Sequence, residues 1–307
     1  MTSPSRRLAA LLSLGALALG ATACSEEVPD RDTSPAAETA TETPTDSPTD
    51  SPTSDPGEAG ETEAAAGETV VPVYFVGDTP QGPRLFREFR AVPADNPLME
   101  ATALMLAGDS LDPDYRTLWP PVEVSSVGAT DGVLLVQIPG DGFTARPDGM
   151  SRKAAKLALQ QLVFTIQGVQ QERVPVVVKR GGTDFRLFGL STEQEFTNAA
   201  PLDVMGLVNI TTPEQGAVVT GDTLEASGVG SSFEATMLWE IRRGDEVVLD
   251  GFATAEGWMD KLYPWETSID VSGLEPGDYT FVARTDDPSG GAEGSGPHED
   301  TKDFTIE

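Results

Sequence analysis

Cysteine and histidine are almost missing from this 307-residue sequence, which has one of each, Cys24 and His298. A lone cysteine excludes a disulfide framework and Cys-rich metal sites. A lone histidine excludes sites built from several imidazoles and leaves little basis for histidine acid–base catalysis. Positive charge is also scarce, with 20 Lys and Arg against 50 Asp and Glu, a net charge of -30. Such a surface repels phosphates, so no nucleic-acid partner is expected. The nucleophile elbow Gly-x-Ser-x-Gly, the P-loop and the dinucleotide fingerprint do not occur. Carboxylates are abundant, but no pair sits in a cleft motif for two-acid hydrolysis. The expectation is a protein that is not an enzyme and takes no cofactor or metal.

What is present begins with an export pattern. Arg6 and Arg7 precede an apolar stretch over residues 8–20, then the small residues Ala21-Thr22-Ala23. That stretch is shorter than the about 20 residues a membrane span needs. Ala21-Thr22-Ala23-Cys24 resembles a bacterial lipobox, with Ala where Leu or Val is more usual. The resemblance implies a signal peptide over residues 1–23, diacylglyceryl transfer to Cys24, and cleavage that leaves Cys24 first. The alternative is an ordinary secretory signal with an incidental cysteine. Two or three acyl chains hold a protein stably on a membrane where one does not. The expected location is the extracytoplasmic face of the cell membrane.

Residues 24–69 are almost entirely Thr, Ser, Pro, Ala, Gly, Asp and Glu, as in Pro44-Thr45-Asp46-Ser47-Pro48. They offer too little apolar surface to offset ordering entropy, which predicts a disordered tether. A coil of that length has a root-mean-square reach of about 37 Å. Beyond it the charge divides unevenly. Residues 70–190 hold 13 acids and 12 bases, whereas residues 191–307 hold 24 acids and five bases.

In residues 70–190 the run Val70-Val71-Pro72-Val73-Tyr74-Phe75-Val76 predicts a buried strand, with residues 84–90 as its edge or hairpin partner. Asn96 and Pro97 predict a helix start, Leu98, Ala101, Leu104 and Met105 its apolar face, and Gly108 its end. Residues 122–127 and 133–138 flank Asp131-Gly132 as a hairpin. A second helix starts at Ser151. Ala155, Leu159, Leu162, Ile166 and Val169 are its buried stripe, with Lys153, Lys156, Gln160 and Gln167 facing water. Residues 174–178 return as a strand, and Gly181-Gly182 turns towards residues 185–188. This order predicts helices on one face of a small mixed sheet. Val73-Tyr74-Phe75-Val76, Leu118-Trp119-Pro120-Pro121 and Gln160-Gln161-Leu162-Val163-Phe164-Thr165-Ile166 are similar to the skeleton of the GerMN domain, over roughly residues 70–188. That family occurs in germination and sporulation lipoproteins and implies protein interaction without chemistry.

Residues 207–307 carry short strands about ten residues apart, expected at 208–212, 223–229, 236–242, 246–253, 265–271, 278–285 and 302–306. Trp239 and Tyr279 are the expected core aromatics. Ile210-Thr211-Thr212-Pro213, Phe233-Glu234-Ala235-Thr236, Gly251-Phe252-Ala253-Thr254-Ala255 and Pro276-Gly277-Asp278-Tyr279 resemble the immunoglobulin-like domain of bacterial spore germination. The whole is therefore expected to be α+β, a small mixed-sheet GerMN-like domain (70–190) followed by an all-β immunoglobulin-like sandwich (207–307).

Few residues stand out as site candidates. Arg152, Lys153 and Lys156 at a helix start, with free N–H groups, would suit an anion or a partner contact, and the plainer reading is a solvated basic face. Trp258, Tyr263 and Trp265 lie close in sequence, as an exposed aromatic platform or as core. Asp286, Asp287 and Ser289 offer oxygens to Ca²⁺ but lack the spacing of a dedicated site. His298, among Gly, Pro and Glu, reads as an exposed loop residue. The two resemblances imply a lipid-anchored envelope protein that docks protein partners in wall or envelope assembly. A binding module for a cell-wall polymer or small ligand is the alternative.

Overall fold

The computed structural model describes residue 65 and residues 67–287 and 296–307. The signal region, Cys24, nearly all of the tether and Ser289 therefore lie outside the described residues. Strand β1 (Glu68–Gly77) pairs antiparallel with β2 (Arg84–Pro93) as a two-stranded ribbon. Val71, Val73 and Phe75 enter the main core of the first lobe, while Tyr74 and Val76 enter a second apolar cluster on the opposite face. Burial of both faces is why β1 reads as a continuous apolar run instead of an alternation.

Helix α1 (Pro97–Ala107) begins after Asn96 and ends at Gly108, whose φ of 69° is left-handed. Asn96 does not cap with its side chain, contrary to expectation. Its φ of -149° and ψ of 62° depart from the extended geometry that aims a side chain at the first turn. Strands β3 (Ser126–Thr130) and β4 (Val133–Ile138) form the expected hairpin, with Asp131 and Gly132 both at positive φ as a type I′ turn requires. The strand starts at Ser126 and not at Val122. Val122 and Val124 are buried but precede the ladder.

Helix α2 (Arg152–Gln170) is capped by Ser151, which is extended and accepts a hydrogen bond from the Ala154 N–H at 3.0 Å. It buries more than the expected stripe, because Leu157 and Phe164 pack on the Tyr74 side while Ala155, Leu159, Leu162 and Ile166 face the main core. Gln167, expected in water, is buried and donates to the Val174 carbonyl at 2.8 Å. Gln160 is held at the surface by Thr197 and Ala199. Strand β5 (Val176–Arg180) pairs parallel with β4, and β6 (Arg186–Leu187) with β7 (Leu190–Ser191) forms a minimal hairpin.

One mixed sheet was expected, and the structure has three separate pieces, β1–β2, β3–β4–β5 and the minimal β6–β7. The outer edge of β1 explains the division. Pro72 has no N–H, the Tyr74 N–H donates to Thr165 Oγ1 of α2 at 3.1 Å, and Val76 exchanges both backbone bonds with Arg116. From Pro72 to Val76 that edge has no donor left to extend the ladder.

After a short helix α3 (Pro201–Val204) comes the second lobe. Its strands are β8 (Val208–Thr212), β9 (Ala217–Val219), β10 (Thr223–Gly230), β11 (Thr236–Arg243), β12 (Glu246–Thr254), β13 (Tyr263–Asp270), β14 (Gly277–Thr285) and β15 (Glu299–Ile306). They form sheets of order β13-β10-β8 and β12-β11-β14-β15-β9. Seven were foreseen. The three-residue β9, parallel to β15, was not. Phe281, Phe304, Tyr279 and Trp265 fill the core, and Tyr279 Oη donates to the Glu275 carbonyl at 2.6 Å, a tyrosine corner. Trp239 is only half-buried, lying over Gly251 of the edge strand, so Trp265 takes the central place expected for it.

Gly228 is where β10 meets both its neighbours. A Cβ there would stand 2.2 Å from the Asn209 carbonyl oxygen and 2.9 Å from the Trp265 ring. Gly228→Ala is expected to destabilise the protein by about 1–3 kcal/mol, read as a lowered urea midpoint.

Candidate functional site

The most closely knit group of buried charges is built around β15. Its alternation points Asp300, Lys302, Phe304 and Ile306 inward, and all four are buried. Phe304 and Ile306 join the sandwich core, whereas Asp300 and Lys302 meet the loop after α1 of the first lobe. Lys302 Nζ bonds Asp112 Oδ2, donates to Tyr115 Oη at 2.9 Å and lies 3.9 Å from Asp300 Oδ1. The Tyr115 hydroxyl donates to Asp300 Oδ1 at 2.6 Å. Asp300 Oδ2 accepts the Ile210 N–H at 2.7 Å. Glu88 of β2 holds the loop by accepting the N–H groups of Leu111 (3.0 Å) and Asp112 (2.9 Å).

Burial pushes the Asp112 and Asp300 carboxyls up, and Lys302 pulls both part of the way back. Burial alone would lower the Lys302 ammonium, but Asp300 and Asp112 outweigh it and hold the group above the ordinary lysine value. Burial, then Asp300 and Asp112, raise the Tyr115 hydroxyl well above its usual range, so it stays a donor. An ion cluster satisfied from within in this way fastens two lobes and has no group left over for substrate. Apolar contacts flank it. Leu85 and Met205 share a cluster, the Gly206 N–H donates to the Leu85 carbonyl at 2.9 Å, and Leu262 packs against the same cluster.

His298 corrects its expectation. It is 3% exposed, and neither ring nitrogen has a partner among the described residues. Burial, then Arg84, lower its pKa below the ordinary histidine value. A Gly-Pro-Glu context signals a loop but does not report which loops are covered.

Arg152, Lys153 and Lys156 are exposed at the start of α2, whose first turn holds no acid. The aromatic trio does not assemble. Trp265 is 3% exposed within the sandwich core. Tyr263 is half-buried under Lys261, whose ammonium is 4.7 Å from the ring centroid, and its hydroxyl donates to Asp260 at 2.8 Å. Of the three only Trp258 reaches the surface, and its ring partner is Phe233, named above for the family resemblance and not as a site candidate. Among the described residues no group of three or more His, Cys, Asp or Glu is placed to hold a metal, and no helix is long and apolar enough to cross a membrane.

Residues 207–292 match the family described as the immunoglobulin-like domain of bacterial spore germination. Over those residues the second lobe is similar to that immunoglobulin-like family. Such a domain is a non-catalytic module. Among solved structures the chain is similar to the tandem GerMN domains of the sporulation protein GerM from Bacillus subtilis, at 15% identity and a TM-score of 0.36, covering 46% of this chain and 50% of that one. It is also similar to a candidate lipoprotein from Clostridium perfringens, at 15% identity and a TM-score of 0.28, covering 45% of this chain and 93% of that one. An engineered protein matches at 13% identity and a TM-score of 0.26, over 49% of this chain and 36% of that one. The chain thus spans half the length of the GerM structure. No curated protein matches.

Lys302→Ala would leave two buried carboxylates without their ammonium. It is expected to cost about 3–5 kcal/mol and either lower the single urea transition or split it in two. His298 yields a pH dependence. Its folded pKa is depressed, so its contribution to stability is complete above the unfolded value near 6.5 and is lost as pH falls through the folded value. His298→Phe is expected to flatten the pH profile of the denaturation midpoint over that acid limb.

Proposed function

We propose that this is a non-enzymatic, lipid-anchored envelope protein that docks a protein partner in cell-wall or envelope assembly. In this reading Cys24 carries the lipid at the extracytoplasmic face, and residues 24–69 hold the folded part off the membrane. The observation that carries the reading is the Lys302 cluster. Its buried ionic groups, Asp112, Asp300 and Lys302, are spent on fastening the lobes to one another, as suits a body whose outer surface does the work. The germination-type family of the second lobe supports it. A second reading, binding of an anionic wall polymer, is favoured by one observation, the exposed Arg152, Lys153 and Lys156 on an acid-free helix start. Replacing both Arg152 and Lys153 by Ala separates the two, since it would weaken polymer binding through that cluster and leave docking at another surface unchanged.

Cys24→Ala is expected to move the protein from the membrane fraction into the medium. Its retention in the membrane fraction would overturn the anchoring. Crosslinking in living cells followed by mass spectrometry is expected to capture a reproducible membrane or secreted protein. Capture of glycan alone, or of no protein above background, would transfer the assignment to the wall polymer.

A further inference from the structure

Three loops meet at one end of the sandwich: residues 231–235 between β10 and β11, residues 255–262 between β12 and β13, and residues 286–287 after β14. Two serines gather them. Ser231 Oγ accepts the Met259 N–H at 3.1 Å, and Ser232 Oγ accepts the Asp286 N–H at 2.7 Å. The Ala255 N–H donates to the Ala235 carbonyl at 2.9 Å, tying the first loop to the second.

On this scaffold two aromatic side chains stand in contact with each other at the surface. Phe233 and Trp258 meet edge to face, with centroids 5.3 Å apart and planes at 74°, and are 43% and 37% exposed. Met259 beside them is 68% exposed. Glu234, Ala235 and Met259 all have positive φ (50°, 60° and 80°), a conformation costly for residues with a Cβ. Loops held in strained backbone by specific hydrogen bonds, with an aromatic pair left in water, are arranged for contact. The charge around the pair is of one sign. Glu234, Glu256 and Asp260 stand exposed on the same loops, and the one cation among them, Lys261, is occupied by the Tyr263 ring.

We propose that this loop end docks a cationic segment of a protein partner, whose Arg or Lys side chains lie against the Phe233 and Trp258 rings while Glu234, Glu256 and Asp260 receive their charge. The proposal rests on the docking reading above and names its surface. Charge complementarity chooses the occupant. An aromatic face attracts a cation through its quadrupole, and flanking carboxylates strengthen that attraction. An anionic wall polymer would meet a surface with 24 acids against five bases over residues 191–307 and be repelled.

The test uses the full chain with three probes at physiological salt: a synthetic peptide alternating Arg and Leu, the same peptide with Glu in place of Arg, and purified teichoic acid. The Arg peptide is expected to bind, and the double variant Phe233→Ala, Trp258→Ala to bind it at least tenfold more weakly with an unchanged far-UV circular dichroism spectrum. That variant keeps every charge, so equal binding by variant and parent would show a general electrostatic effect and overturn the proposal. No binding of the Arg peptide, or equal binding of the Glu peptide or teichoic acid, would overturn it too. If the double variant loses its fold, a photocrosslinker at Met259 in the otherwise native chain decides, since no crosslink to the Arg peptide would count against the tip. In cells, a protein crosslinked equally by the parent and the double variant would sink the tip and leave the docking reading standing. No protein captured by either would sink both.

Discussion

The Lys302 ammonium, closed between Asp112 and Asp300 and bridged by Tyr115, is the contact on which the rest of the arrangement depends. Removing such charges from water costs several kcal/mol for each ion, and Coulomb attraction recovers this only when the other lone pairs are also satisfied. Here they are, by the N–H groups of Ile210 and Thr301 on Asp300 and of Asp114 on Asp112. Net stability is therefore not what the cluster supplies. Adhesion comes from the apolar seam beside it, where Leu85, Met205 and Leu262 join the Tyr74 and Phe164 cluster. The ions contribute selectivity, because a seam shifted by one residue would bury an ammonium or a carboxylate alone.

How far the sequence disclosed this differs from lobe to lobe. In the sandwich, alternation of apolar and polar residues located seven strands, because along most of their length one face lies in the core and the other nearer water. In the first lobe the strongest apolar run was found, but not that it stands outside the second sheet. That depends on Pro72 and on a hydrogen bond to Thr165, 91 residues away. The Lys302 cluster was in principle visible, since Asp300, Lys302, Phe304 and Ile306 share one parity. Starting the strand at Lys302 concealed the inward acid two residues earlier. His298 had no such signal, for local composition carries no information about what covers a loop.

The aromatic candidates show the same limit. Trp258, Tyr263 and Trp265 are neighbours in sequence, yet a strand separates residues that a loop would gather. Trp265 is drawn into the core by the alternation of β13, and Tyr263 is capped by Lys261. The true neighbour of Trp258 is Phe233, delivered by another loop. Its approach depends on Ser231 and Ser232, whose short hydroxyls accept backbone N–H groups from the two other loops.

Acidic residues thus serve this molecule in two opposite ways. At the lobe junction they are desolvated and paired, where mobile ions do not reach and screening is weak. At the loop end they are solvated and grouped without a free cation among Glu234, Glu256 and Asp260, where screening acts in full. In the proposed docking, ionic strength would therefore tune the attraction for a cationic segment without loosening the body that presents the surface.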